Sequence, residues 1–410
     1  MQTPTRLDPA DWAWVRELAP GPEPTLFPCS NGPRRGRTYP VAETRLAGNE
    51  RRYLNECVDS NWISSRGPFL ERFERAFAQQ AGCEYGVACA NGTVALHLSL
   101  AALGLAPGDE VIAPTFTMIA TANAVRYTGA ALRLVDADPV DGNIDPDQVE
   151  AAVTSRTRAV IVVHTYGHPA RMDRLCELAA RHGIALIEDA AEAHGAEFAG
   201  RRAGGMGLAG AFSFYANKII TTGEGGMVTT NDPEFAAVAR RLRDHAFSPE
   251  RHFWHEYLGF NYRMTNLQAA VGLAQTERLD EILAARRRLR DAYDRGLRGV
   301  PGLVLPTEAP GVRNVFWMYA LRVTPALGLG RDELRQELAR RGVETRTFFV
   351  PMHLQPIYFE QFRGQRFPVA EALGASGLYL PTSEALDEAD ARWICDQIAE
   401  LHEQASGRAA

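Results

Sequence analysis

Lys218 sits in the run Gly210-Ala-Phe-Ser-Phe-Tyr-Ala-Asn-Lys218-Ile-Ile-Thr-Thr-Gly-Glu-Gly-Gly226, an apolar approach followed by a glycine-rich turn. Upstream, Ile184-Ala-Leu-Ile-Glu-Asp189 reads as a buried strand ending in two carboxylates. A lysine amine paired with a buried aspartate is what pyridoxal phosphate (PLP) chemistry requires. The lysine forms the Schiff base, and the aspartate keeps the pyridine nitrogen protonated so that the ring acts as an electron sink.

Other residues fit around this pair. Cys89-Ala-Asn-Gly-Thr93 follows a strand and opens a helix, so Gly92 lets backbone approach an anion and Thr93 adds a hydroxyl beside the helix N-terminus. Ser213, on the extended segment before Lys218, either aims its hydroxyl at the phosphate or is satisfied by backbone. Glu192 is placed to meet the cofactor's phenolic oxygen or to face water, and Glu224 in the glycine-rich turn to face the substrate or water. His194 either orients Asp189 or lies on a helix surface. His164 and His168 flank Tyr166-Gly167 at another strand end, where a histidine lines the pocket or is held by local hydrogen bonds. Tyr319, Arg346 and His353, further along, are candidates for sugar or nucleotide contacts, or are structural.

The elements that must position these groups read as follows. Tyr85–Cys89, Glu110–Ala113, Ala131–Val135, Ala159–Val163 and Ala185–Ile187 are short apolar runs, several separated by helical periods such as Val94–Leu103 and Asp173–Arg181. That pattern predicts an α/β fold with a mostly parallel sheet covered by helices. Gly210–Tyr215 and Gly226–Thr230 are too close for a crossover helix, which predicts an antiparallel member in the same sheet. Asn266–Arg295 reads as one long helix. Val315–Val323, Asp332–Arg341, Arg346–Phe349 and Asp387–His402 then alternate strand and helix in a smaller α+β unit. The division is an N-terminal extension (1–37), a large domain (38–275) and a small C-terminal domain (276–410). Within the extension, Asp8–Leu18 predicts a short helix carrying Trp12 and Trp14, and the whole reads as a flexible arm that packs its tryptophans on the body, or as a functional module.

Composition sets outer limits. The 410 residues are 46% hydrophobic and 23% charged, with a formal charge of −6, which suits a globular enzyme and argues against nucleic acid as a partner. Six scattered cysteines without a C-x-x-C pair suggest reduced thiols in a cytoplasmic protein. No apolar stretch reaches spanning length, so no membrane association is expected; no metal site is expected either.

Several motifs in order carry a family resemblance: Gly48-Asn-Glu50, Trp62-Ile-Ser-Ser65, Asn91-Gly-Thr93, Pro114-Thr-Phe-Thr117, Glu188-Asp-Ala-Ala191, Ser213-Phe-Tyr-Ala-Asn-Lys218, Gly223-Glu-Gly-Gly226 and Gly259-Phe-Asn-Tyr-Arg-Met264. The chain resembles the nucleotide-sugar aminotransferases of the fold-type I PLP enzymes. Within them, Trp62-Ile-Ser-Ser65, Glu192-Ala-His-Gly195 and Tyr262-Arg-Met-Thr-Asn-Leu-Gln268 are most similar to the GDP-perosamine synthases. The resemblance implies PLP carried on Lys218, Asp189 at its ring nitrogen, and Gly92, Thr93 and Ser213 on its phosphate. Asn261 would reach the phosphate in a neighbouring subunit, which implies a homodimer with shared active sites. Met118 stands where many relatives place an aromatic ring over the cofactor, and Glu192 where glutamine is common. The implied reaction moves an amino group from L-glutamate to a nucleotide-linked keto-sugar, GDP-4-keto-6-deoxymannose in the branch it most resembles. The alternatives are a 3-keto-sugar or aminocyclitol aminotransferase, or a non-catalytic regulator on the same fold.

Overall fold

The structure is a computed structural model that describes residue 15 and residues 18–248, 250–251 and 253–409. The apolar runs fold as strands β1 (Tyr85–Cys89), β2 (Glu110–Pro114), β3 (Ala131–Val135), β4 (Thr157–Val163) and β5 (Ala185–Asp189). Two short strands, β6 (Glu197–Phe198) and β7 (Arg201–Arg202), precede β8 (Ala209–Ser213) and β9 (Gly226–Thr230). The central sheet has the order β1-β9-β8-β5-β4-β2-β3. β9 is antiparallel to both neighbours, as the short β8–β9 connection predicts, and the remaining pairs are parallel. Every residue of β2 and all but one of β4 are buried, because helices cover both faces; that is why these strands read as unbroken Val and Ile runs. The parallel arrangement brings the carboxyl ends of β1, β2, β4, β5 and β8 to one edge, where such sheets bind ligands.

The smaller unit is built on β10 (Leu303–Val304), β11 (Val312–Arg313), β12 (Tyr319–Val323), β13 (Arg346–Thr347) and β14 (Gly377–Leu380). Four of these form a sheet in the order β10-β12-β14-β13, while β11 joins β6 and β7. One hydrophobic core runs from Val41 to Leu283 and also takes in Trp317, Met318, Phe348 and Leu373. A second gathers Leu289 to Leu401 together with Cys29 and Tyr39. Among the described residues, no helix is long and apolar enough to cross a membrane.

Several expectations differ from what folds. The single helix expected over Asn266–Arg295 is two, Asn266–Thr276 and Leu279–Leu297. Polar side chains at the junction pull in different directions. Glu277 accepts from Tyr53 Oη at 2.6 Å and Asn49 Nδ2 at 2.7 Å, whereas Arg278 reaches Glu384 at 2.9 Å and leaves the helical region at φ −107°. The strand expected from Val315 starts only at Tyr319, because Phe316 turns the chain with φ +48°. The strand expected to reach Phe349 stops at Thr347, and Phe349 beyond it lines a cavity. The extension is not a loose arm between Pro20 and Arg37: Phe27 N–H bonds Ala339 O at 3.1 Å, Arg34 Nη2 bonds Ala385 O at 2.6 Å, and Cys29 is buried in the second core. Of the helix expected over Asp8–Leu18, only Val15 and Leu18 are among the described residues; Trp12 and Trp14 lie outside them.

Candidate functional site

At the carboxyl edge of the sheet, a cavity of about 770 Å³ is lined by Gly92, Thr93, Met118, Asp189, Glu192, Ser213, Lys218 and Glu224. Eight residues singled out from sequence thus meet in one place, though they span more than a hundred positions of chain. Each comes from a strand end. Asn91–Thr93 follow β1, Met118 follows β2, Asp189 closes β5 and Ser213 closes β8.

The anion-holding end is built of backbone. Asn91 caps the helix Gly92–Ala102 by accepting from Val94 N–H at 2.9 Å, which leaves the first N–H groups of that turn without intrahelical partners. Ser213 packs directly against Gly92: a Cβ on Gly92 would lie 2.6 Å from Ser213 Cβ, and one on Gly226 would lie 2.3 Å from Asn91 O. Only glycine keeps this cradle open. The Ser213 hydroxyl also accepts from Tyr215 N–H at 3.3 Å, so it is turned toward the lysine segment.

The charged end is buried. Asp189 is 6% exposed, and its Oδ2 accepts from Thr121 Oγ1 at 2.8 Å. Thr121 in turn touches Thr117 Oγ1 at 2.9 Å, so with Thr121 donating to Asp189 the Thr117 hydroxyl donates to Thr121. Burial raises the Asp189 pKa, against the Thr121 hydroxyl and the Lys218 charge. Glu192 accepts from Tyr166 N–H at 2.8 Å and stands 3.7 Å from Lys218 Nζ. Burial pushes its carboxyl up to about 7, opposed mainly by Lys218. Lys218 is itself pulled down by burial, with Glu192 and Asp189 working the other way, so its amine is more available as a free base than an ordinary lysine. The Nζ also lies 4.0 Å from the Trp317 ring centroid, and Trp317 Nε1 donates to Asn217 O at 2.8 Å.

Met118, 49% exposed, presents a thioether at the mouth, while Trp317, Phe349 and Tyr379 supply aromatic faces from the smaller unit. The Oδ1 of Asn217, another lining residue, is buried without a partner among the described residues. An amine, a buried carboxylate across the cavity, an anion cradle and apolar faces together fit a flat, phosphorylated heteroaromatic aldehyde.

Other candidates do not line this cavity. His164 is fully buried, with Nε2 2.9 Å from Glu188 and Nδ1 accepting from Ala170 N–H; strand alternation sends Glu188 to the face opposite Asp189. His194 neither orients Asp189 nor lies on a helix surface. It is fully buried near Phe77, Phe212 and Phe214 and bonds Ser213 O at 2.9 Å, and burial lowers its pKa to about 3. Tyr319 is sealed in the second core, donating to Asp294 at 2.7 Å. His353 is held between Thr115 Oγ1 at 2.8 Å and Glu371 at 3.2 Å, and Arg346 pairs with Glu344 and Glu23. Asn261 lies exposed, away from the cavity of its own chain. Sequence reasoning missed Thr121, Asn217, Trp317, Phe349 and Tyr379. Thr121 carries a signal, its four-residue spacing from Thr117; the three aromatics come from the distant unit with none.

The model of the DegT/DnrJ/EryC1/StrS aminotransferase family matches residues 44–399. A GDP-perosamine synthase of Caulobacter vibrioides is 50% identical over 351 residues, covering 85% of this chain and 94% of the relative. One from Escherichia coli O157:H7 is 41% identical over 88% of this chain and 98% of its own. Among solved structures, Streptomyces venezuelae DesV in complex with a ketimine intermediate superposes with a TM-score of 0.82 at 40% identity, over 87% of this chain and 94% of that one.

Proposed function

Because the chain belongs to the DegT/DnrJ/EryC1/StrS aminotransferase family and is a PLP-dependent sugar aminotransferase, we propose that it aminates carbon 4 of GDP-4-keto-6-deoxy-D-mannose with L-glutamate as donor, giving GDP-perosamine. The observation that carries the substrate choice is the 50% identity to a GDP-perosamine synthase along nearly its whole length. The 3-keto-sugar and regulator readings rest on less similar relatives, a dTDP-3-amino-3,4,6-trideoxy-alpha-D-glucose transaminase at 41% identity and a pleiotropic regulatory protein at 38%.

Bound in the cavity, PLP supplies the aldehyde that takes up an amino group and the ring that absorbs electrons from the donor's α-carbon. Gly92, Thr93 and Ser213 are our choice for its phosphate, Asp189 for its ring nitrogen and Glu192 for its phenolic oxygen, with Met118 over the ring. Lys218 Nζ would hold the cofactor's aldehyde, and its amine would take the proton from the glutamate α-carbon; burial favours the free amine that this needs. Thr121 holds Asp189 in place through its hydroxyl. Glu224 borders the entrance where the sugar would enter.

We further propose a homodimer in which Asn261 reaches the partner's cofactor phosphate. Support comes from the exposed Trp254 (55%) and Leu258 (82%) just before Asn261. The division into residues 1–37, 38–275 and 276–410 is proposed on sequence grounds; the cores cross it, since the first takes in Leu283, Trp317 and Phe348 and the second Cys29 and Tyr39.

The test is the visible spectrum of the PLP-loaded protein before and after L-glutamate, followed by product analysis with GDP-4-keto-6-deoxymannose. A glutamate-dependent spectral change and a GDP-amino-sugar product support the proposal. Lys218→Arg should keep the fold and lose both. Full activity in Lys218→Arg, or amination of other keto-sugars in preference, overturns it.

A further inference from the structure

The chain before residue 44 lies outside the family match, yet it is fastened along the smaller unit at three places. First, Val15 is 2% exposed and packs with Leu354 and Phe359, while Leu18 and Val350 close around them in a small third core. Next, Gly21 N–H donates to Asp332 at 3.0 Å, and Glu23 accepts from Arg335 Nη2 at 2.8 Å and stands 3.3 Å from Arg346. Last, Tyr39 N–H donates to Gly342 O at 2.8 Å, and Glu344 N–H donates to Tyr39 O at 2.9 Å.

These anchors converge on the aromatic wall of the Lys218 cavity. Phe349 lies between the Glu23 anchor at Arg346 and the Val15 anchor at Val350 and Leu354. Tyr379 is the direct partner of Arg346 across β13 and β14. Tyr166, from the turn after β4, backs both rings, with centroids 5.2 Å from Phe349 and 5.7 Å from Tyr379, and its hydroxyl accepts from Phe349 N–H at 3.1 Å. The wall is thus held by the larger unit on one side and by the extension on the other. Arg335 makes the Glu23 anchor more than a surface contact. Its side chain is 1% exposed, and among the described residues its carboxylate partners are Glu23 at 2.8 Å and Asp332 at 3.5 Å. Removing the nearer partner of a buried charge is destabilising.

We propose that residues 15–39 are a strap that sets the position of Phe349 and Tyr379 and thereby the grip on the sugar substrate, with Glu23 and Val15 as its positioning residues. The anion cradle, Asp189 and Lys218 all come from the sheet edge of the larger unit, which leaves the aromatic faces of the smaller unit for the apolar face of a sugar ring rather than for a small dicarboxylate. The choice of sugar rests on the function proposed above; the strap itself does not.

The test uses full-length, PLP-loaded Glu23→Ala and Val15→Asp. Amide hydrogen exchange over residues 346–359 should quicken in each, while β4 keeps its wild-type protection. The KM for GDP-4-keto-6-deoxymannose should rise by up to about fivefold in Glu23→Ala and roughly tenfold in Val15→Asp. The kcat and the glutamate half-reaction should stay as in wild type, and Glu23→Gln, which keeps an acceptor, should fall between wild type and Glu23→Ala. Unchanged exchange in both variants overturns the proposal, as does quicker exchange with an unmoved sugar KM. Equal losses toward sugar and glutamate mean general loosening of the cavity and overturn it too. A wild-type protein that ignores this sugar refutes the substrate choice alone; hydrogen exchange, and the KM for whichever keto-sugar it does aminate, then decide the strap.

Discussion

Replacing Thr121 by valine removes one hydroxyl and almost no volume, so the fold around it should survive while Asp189 loses its strongest neutral donor. The Thr121–Asp189 contact is 2.8 Å long, and the group it serves is 6% exposed. Ala191 N–H, the remaining backbone donor to this carboxylate, stands at 3.3 Å. A hydrogen bond to a charged group contributes about 1.5–3 kcal/mol. Burial already raises the Asp189 pKa, and removing the hydroxyl raises it further. A carboxyl that holds its own proton is a poorer partner for a protonated ring nitrogen. If the whole loss reaches the transition state, the glutamate half-reaction slows by roughly 10- to 100-fold, and its acid-side fall moves to higher pH. Stopped-flow absorbance of the PLP-loaded variant with L-glutamate across the pH range measures both. Thr121→Ser should restore the rate, because serine keeps the donor. A Thr121→Val enzyme with wild-type rate and an unmoved pH profile would refute the reasoning and leave Thr121 a packing residue.

Gly92→Ala should weaken PLP binding at least tenfold in a spectroscopic titration, because its Cβ meets Ser213 Cβ at 2.6 Å and overpacking costs about 1–3 kcal/mol. Glu192 is raised from 4.5 to about 7, so the cofactor-free protein holds this proton more tightly folded than unfolded. Its stability is therefore greatest below the ordinary carboxyl pKa and falls by up to about 3 kcal/mol as pH rises through about 7. Thermal melts of cofactor-free Glu192→Gln should lose that part of the pH dependence, and a slope identical to wild type would count against it. His164→Leu leaves Glu188 with the backbone N–H groups of Gly204, Met206 and Gly207 but without its buried partner. The expected result is a stability loss toward about 3 kcal/mol with the sugar KM unchanged, whereas a selective rise in KM would return His164 to the site.

What was legible in the sequence followed from how far each signal reaches along the chain. Asp189 and Ser213 close strands β5 and β8, and Gly92 and Lys218 follow shortly after β1 and β8; strand order in a parallel sheet brings such ends to one edge, so local pattern sufficed to gather them. The antiparallel β9 was equally local, since the short connection from β8 leaves no room for a crossover. Tyr319, His164 and His353 look no different in sequence from cavity residues. Their roles are decided by distant partners, Asp294, Glu188 and Glu371, that remove them from the cavity. Trp317 shows the converse. Nothing near it marks a site, yet the left-handed turn at Phe316 and the bond to Asn217 O lay its ring beside Lys218. Strand β14 was missed because its four residues follow a short helix without a turn signal; Gly377 lies so close to Phe348 that a Cβ would meet that ring at 2.0 Å. That packing ties β14 to the segment carrying Phe349, so the smaller unit's central strand and the cavity's aromatic wall are one mechanical piece. A substitution at Gly377 should therefore disturb the site around Lys218 without touching any residue that lines it.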